Sequence, residues 1–179
     1  MKVCLLSDSH DNRQLLAAAV VDAKARGAEL VLHAGDVVSP STLSVLEPLG
    51  LPVHLVHGNN TGDLVTLTRM VARKGSVIRY HGADADLQLG GRRVFMVHYP
   101  HYARGMASLG DWDLVCCGHS HRVAVERVPN VRGTETLLVD AGTAGGVGAP
   151  ANYVMIDLDS LLCEVRLVED EGWGVRGEG

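Results

Sequence analysis

Imidazoles, carboxylates and amides recur in five short blocks of the chain. They are Asp8 and His10 in SDSH, Asp36 in HAGD, Asn59 and Asn60 in HGNN, His98 in VFMVHYPH, and His119 and His121 in CGHSH. Each block closes a short apolar run, so ligand-type side chains stand where strands give way to loops, which is where open α/β sheets build their sites. Taken singly, each has an ordinary explanation. Asp8 and His10 could sit around a helix cap, Asp36 and Asn59 after glycine could be turn residues, and His98 could be a core histidine with its hydrogen bonds met. Taken together, these explanations must be invoked separately at the same end of separate strands, and one shared site accounts for all of them. Four imidazoles, two carboxylates and an amide oxygen are too many donors for one zinc ion, which takes about four. They suit two transition-metal ions sharing a carboxylate, an arrangement that clamps a phosphoryl group and generates hydroxide near neutral pH.

The elements that would position these groups follow from the apolar pattern. KVCLLS reads as a strand, and DNRQLLAAAVVDAKARG as a helix that Asp11 or Asn12 can cap and Gly27 can close. AELVLHAGD is a second strand, followed by a turn at Pro40 and a helix over about residues 41–49; LPVHLVHGNN is a third strand and TGDLVTLTRMVARKG a third helix. Strand–helix–strand repeats at this spacing predict a parallel sheet with helices packed on it. The second half is mostly strands (SVIRY, DADLQLGGRRVFMVHY, LVCCG, RVAVERV, TLLVDAG and YVMIDLDSLLCEVRLVE), with one helix over residues 101–109 and hairpin turns at Gly90-Gly91 and Asp159-Ser160. Two packed sheets with helices outside are the expected result. Residues 1–168 read as a single domain, and 169–179 as a glycine-rich, flexible tail.

Composition sets the outer limits. A chain of 179 residues with 46% hydrophobic and 21% charged residues fits one ordinary globular domain. A net charge of −5 argues against stable nucleic-acid binding, which needs a basic face, but leaves room for a small phosphorylated substrate met by bound cations. No apolar stretch is long enough to span a membrane, and the first apolar run is too short for a signal peptide, so a cytoplasmic location is expected. Cys4, Cys116, Cys117 and Cys163 all lie in apolar runs without a C-x-x-C pair, and are expected as buried, reduced thiols. Exposed apolar edges leave homo-oligomerisation open.

In their order along the chain, Asp8-x-His10, Gly35-Asp36, Gly58-Asn59, His98 and Gly118-His119-Ser120-His121 resemble the motif set of the calcineurin-like metallophosphoesterases, in particular the small YfcE-type phosphodiesterase branch. The likeness runs over nearly the whole chain. It implies a four-layer α/β/β/α sandwich, two packed mixed sheets flanked by helices, with a dinuclear site at one edge. It further implies that Asp8, His10 and His121 hold one metal, that Asn59, His98 and His119 hold the other, and that Asp36 bridges them. The implied cofactors are two divalent transition-metal ions, manganese first, with iron, zinc, nickel and cobalt as alternatives. The implied reaction is hydrolysis of a phosphodiester by in-line attack of a metal-bridging hydroxide, with Asp36, Asn59, Asn60 and His10 as the catalytic set.

Departures from the family pattern bear on the acid step. Many members carry a histidine after Gly-Asn, which helps protonate the leaving group; here Asn60 stands in its place, and an amide is no general acid at neutral pH. His57 or His101 is a neighbour that could substitute, and Asp63 comes two residues later than the family's acid, whose place Thr61 takes. Asp140, in DAGTAGG, replaces the asparagine of the branch's NPGS-like loop. In HYPHYARG, His101 and Arg104 are candidate pocket residues and, with Asn60, the candidate substrate-binding set. Two other functions share the fold. One is a phosphomonoesterase, including a protein phosphatase; the other is a non-catalytic scaffold such as the retromer subunit, which has lost part of the metal set. The complete ligand set favours an enzyme.

Overall fold

The computed structural model describes residues 1–169 of the chain. The residues from 170 on, which make up most of the expected tail, lie outside the described residues. Strand β1 (Lys2–Leu6) is buried on both faces after its first residue, as a continuous apolar run in a covered parallel sheet requires. It is followed by α1 (Arg13–Ala25), β2 (Leu30–His33), β3 (Val53–Leu55), α2 (Leu64–Val71), β4 (Ile78–Tyr80), β5 (Asp84–Leu89), β6 (Arg92–Val97), α3 (Pro100–Leu109), β7 (Leu114–Cys117), β8 (Val123–Pro129), β9 (Glu135–Ala141), β10 (Asn152–Asp157) and β11 (Leu162–Leu167). Asn12, not Asp11, caps α1, its side-chain oxygen accepting the Leu15 N–H at 3.1 Å. Asp63 caps α2 in the same way, through Thr66, so the acid that follows the third block serves the helix rather than the site.

Six strands form one sheet in the order β11-β10-β1-β2-β3-β4, and five form the other in the order β5-β6-β7-β9-β8. β1 to β4 run parallel, while the β10–β11 hairpin returns to pair antiparallel with β1 (Val3 opposite Ile156). In the second sheet β6, β7 and β9 run parallel. Three apolar clusters hold the layers. Leu6, Leu16, Val20 and Leu43 lie under α1 and α2; Leu5, Leu32, Met96 and Val139 lie between the sheets; and Phe95, Ala103, Val115 and Leu138 lie under α3. Adjacent Cys116 and Cys117 face different clusters, and all four cysteines are free thiols, with Cys163 only half-buried. This is the expected α/β/β/α sandwich. Among the described residues no helix is long and apolar enough to cross a membrane.

One predicted helix is corrected. Residues 41–49 form two short 3-10 turns, Pro40–Val45 and Glu47–Leu49, instead of an α-helix. Pro48 has no N–H to give to residue 44 and its ring crowds that carbonyl, while Ser41, Thr42 and Ser44 are weak helix formers.

Candidate metal centre

All five blocks meet at one rim of the sandwich, because β1, β2 and β3 in the first sheet and β6 and β7 in the second end there. Backbone bonds lace the strand ends together. Asp8 N–H donates to the Gly35 carbonyl at 2.9 Å, His10 N–H to Asp36 at 3.1 Å, and Gly118 N–H to His98 at 3.0 Å.

The polar atoms converge in two groups, one of Asp8, His10 and His121 and one of Asp8, Asp36 and His98. In the first, His121 Nδ1–H donates to the Val147 carbonyl at 2.9 Å, which leaves Nε2 as a lone pair; that Nε2 faces Asp8 Oδ1 at 3.1 Å and His10 Nε2 at 3.2 Å. In the second, His98 Nδ1–H donates to the Ala34 carbonyl at 2.8 Å, and its Nε2 faces Asn59 Oδ1 at 3.1 Å and Asp36 Oδ1 at 3.4 Å. Asp36 reaches toward both groups, its Oδ2 lying 3.8 Å from His10 Nε2. Burial alone would raise the Asp36 carboxyl, but the backbone and side-chain N–H groups of Asn60, with His98 and His10 beside it, hold it below the ordinary carboxylate range.

Not every expected residue is placed alike. His119 gives its backbone N–H to Asp8 Oδ2 at 2.8 Å and packs its ring edge-on against His98, centroids 5.0 Å apart; its nitrogens belong to neither convergent group. Asn60 donates its N–H to Asp36 Oδ1 at 2.9 Å and its amide to Oδ2 at 2.6 Å, so it clamps the central carboxylate. His57 Nδ1 is engaged by the Tyr80 hydroxyl. His101 is exposed at the start of α3 beside Tyr99, and Arg104 is paired with Glu126 at 2.6 Å.

The backbone here is held away from its usual conformations. Asp8, His10, Asp36, His119 and His121 have φ of 52°, 41°, 55°, 70° and 57°, five of the eight non-glycine residues with positive φ among those described. Such residues cost of order 1–3 kcal/mol each and persist only where their surroundings over-determine them. Three glycines permit the approach. A Cβ on Gly35 would lie 2.7 Å from His98 Nδ1, one on Gly58 would fall on Asp36 Oδ1, and one on Gly118 would fall on Ser7 Oγ.

Several supporting contacts were hidden in the sequence. Tyr99 packs against His98 and His119, and Thr143 donates to the Asp8 carbonyl at 3.0 Å. Asp140 is buried, which raises its carboxyl despite hydrogen bonds from Ser120 and Gly142. His33, the last residue of β2, is fully buried; a polar side chain closing an apolar strand was its only signal. Its Nδ1 accepts the Gly35 N–H at 3.2 Å, so its proton sits on Nε2, which donates to Ser9 Oγ at 3.1 Å. Burial, with His98 nearby, takes it from 6.5 down to about 3. The unfolded chain therefore binds a proton that the folded chain refuses. Stability is whole above about pH 6.5 and falls as the pH drops toward 3, by up to ~1.4 kcal/mol per unit from this group. Urea unfolding of chelator-treated protein between pH 7 and 4 is expected to show that slope, and His33→Gln to flatten it; an unchanged slope in the variant would assign the acid sensitivity elsewhere.

A family model described as the calcineurin-like phosphoesterase superfamily domain matches residues 1–161. The chain is 25% identical over 150 residues to phosphodiesterase MJ0936 of Methanocaldococcus jannaschii, covering 82% of this chain and 86% of that one. Among solved structures, an archaeal phosphodiesterase superposes with a TM-score of 0.81 at 21% identity, covering 93% of this chain and 99% of its own. The Escherichia coli phosphoesterase YfcE superposes with a TM-score of 0.65 at 17% identity, covering 94% of this chain and 100% of its own.

Proposed function

This chain belongs to the calcineurin-like phosphoesterase superfamily, and from that premise we propose that it hydrolyses phosphodiester bonds of a small phosphorylated substrate at a dinuclear metal centre. Relatives named phosphodiesterase and metallophosphoesterase support a metal-dependent phosphoric ester hydrolase; the diester preference follows the activity by which its archaeal relative is named. One observation carries the dinuclear reading. With Nδ1–H of His98 and His121 given to carbonyls, their Nε2 lone pairs face carboxylate and amide oxygens at 3.1–3.4 Å, acceptor against acceptor. Cations resolve such an array, and carbonyls fixing the far nitrogen are the usual support of metal-binding histidine.

Asp8, His10 and His121 would hold one ion, Asn59, His98 and His119 the other, and Asp36 would serve both; manganese leads the candidates. When bound, two such ions supply positive charge against the nonbridging phosphate oxygens and a hydroxide nucleophile near neutral pH. The chain's own residues do the rest. Asn60 keeps the Asp36 carboxylate in one orientation with two hydrogen bonds, and that role leaves it no proton to give to a leaving group. His101, exposed at the start of α3 beside Tyr99, is a candidate to meet the substrate. Residues 1–168 are read as the one domain that carries this activity.

The test is hydrolysis by metal-stripped protein reloaded with manganese. Turnover is expected only with metal, faster on an aryl phosphodiester than on its monoester. It is expected to be slower on an alkyl diester by ~10²-fold or more, since Asn60 stands where a general acid would assist departure. Faster monoester cleavage would make this a monoesterase, and no turnover with two ions bound would make it a scaffold.

A further inference from the structure

The loop at residues 140–147 carries a buried acid, Asp140, and its hydrogen bonds reach Asp8 and His121 in the centre. Asp140 lies next to the end of β9, in register with Cys117, the last residue of β7. It therefore stands beside the point where the turn at 118–121 begins. Its Oδ2 accepts the Ser120 hydroxyl at 2.7 Å and its Oδ1 accepts the Gly142 N–H at 3.1 Å. Ser120 is the residue between His119 and His121, both of which have a left-handed backbone. Its oxygen also takes the Arg122 N–H at 3.1 Å, which closes the turn around it.

The same loop continues to Asp8 and His121. Thr143 donates to the Asp8 carbonyl at 3.0 Å, Gly145 N–H to that same carbonyl at 3.0 Å, and the Val147 carbonyl takes His121 Nδ1–H at 2.9 Å. Among the described residues, none of the loop's hydrogen bonds goes to Asp36, Asn59 or His98. The loop thus holds Asp8 and His121 directly and reaches Asp36 and His98 only through Asp8, which belongs to both groups.

We propose that Asp140 is a positioning residue for the Asp8–His10–His121 half of the centre, its buried carboxylate fixing Ser120 and through it the turn that presents His121. A carboxylate suits this place because both neighbours, a hydroxyl and a backbone N–H, are donors, and an ionised acid is acceptor-only. An asparagine there would keep an oxygen for Ser120 but turn its NH2 toward the Gly142 N–H. The proposal rests on the dinuclear reading above.

The experiment is manganese binding to the full chain by titration calorimetry, with metal content after dialysis as a second readout. Asp140→Ala and Ser120→Ala are each expected to weaken the ion of the Asp8–His10–His121 half by ~10–100-fold and the other ion clearly less. Asp140→Asn should fall between these and the parent, and the double variant Ser120→Ala/Asp140→Ala should bind no more weakly than the weaker single. Equal weakening of both ions, or parental affinity in both alanine variants, overturns the proposal. Should Asp140→Ala not fold, Ser120→Ala decides alone, since it removes only an exposed hydroxyl. A parent chain that takes up fewer than two ions overturns the dinuclear reading itself. Two ions in the parent with no selective loss in the variants overturn only the role of Asp140.

Discussion

Asp36→Asn is expected to lower turnover by roughly 10²–10³-fold, the scale seen when one charge-stabilising group is taken from a reacting centre. Two effects combine. The central group loses the negative charge with which it would serve both halves of the proposed centre. The amide also cannot accept from both sides: Asn60 offers a donor to each oxygen of Asp36, at 2.9 and 2.6 Å. An NH2 in place of either oxygen sets donor against donor in a nearly dry site, where an unmet polar group costs about 1–3 kcal/mol. The side chain would rotate or the third block would move, and His98, 3.4 Å from Asp36, would move with it. Steady-state rates on an aryl phosphodiester, with circular dichroism to establish the fold, check this. A variant that keeps a tenth of the parental rate would show that Asp36 is dispensable to the reaction.

Gly58→Ala tests the cradle rather than the ligands. The added methyl would fall on Asp36 Oδ1 and lie 2.7 Å from both Nε2 and Cδ2 of His98. Neither side chain can retreat, since Asp36 is clamped by Asn60 and the His98 ring is tied to the Ala34 carbonyl and packed against Gly35. Overpacking of this kind costs about 1–3 kcal/mol, and a reacting group displaced by 1 Å can cost ~10²-fold in rate. The expected result is a folded protein with a lowered unfolding midpoint, weaker manganese binding and at least ~10²-fold less turnover. Parental rates would mean that the backbone at 58 yields and that the close approach is not required.

The candidate site was legible because its chemistry sits at strand ends. The apolar runs before Asp8, Asp36, Asn59, His98 and His119 could be read as strands, and polar ligand-type residues after each have few other reasons to recur. The sandwich was legible through the same runs. What the sequence hid depended on long-range contact. Nothing near Asn60 says that its amide will turn back onto Asp36, 24 positions earlier. Nothing near Asp140 says that it will meet Ser120, because the β7–β9 register that joins them skips over β8. His33 looked like one more strand residue until its two ring nitrogens were seen spanning the ends of β1 and β2. The helix expected at 41–49 failed for a local reason that was in view: Pro48 cannot join an α-helical ladder about two turns in.

The candidate ligands are drawn from both layers of the sandwich. Asp8, His10, Asp36 and Asn59 follow strands of the first sheet, and His98, His119 and His121 follow strands of the second. Elsewhere the sheets meet through side chains such as Leu5, Leu32 and Met96, whose contacts have no direction. Ions gripped from both sides would act as a clasp at the rim of two apolar plates. A clasp that binds only the closed form adds stability with the logarithm of free ion, about 2.7 kcal/mol at a hundredfold excess over Kd. The lifetime of the fold against unfolding and proteolysis then becomes a readout of the surrounding metal supply, set by the same residues that would do the chemistry.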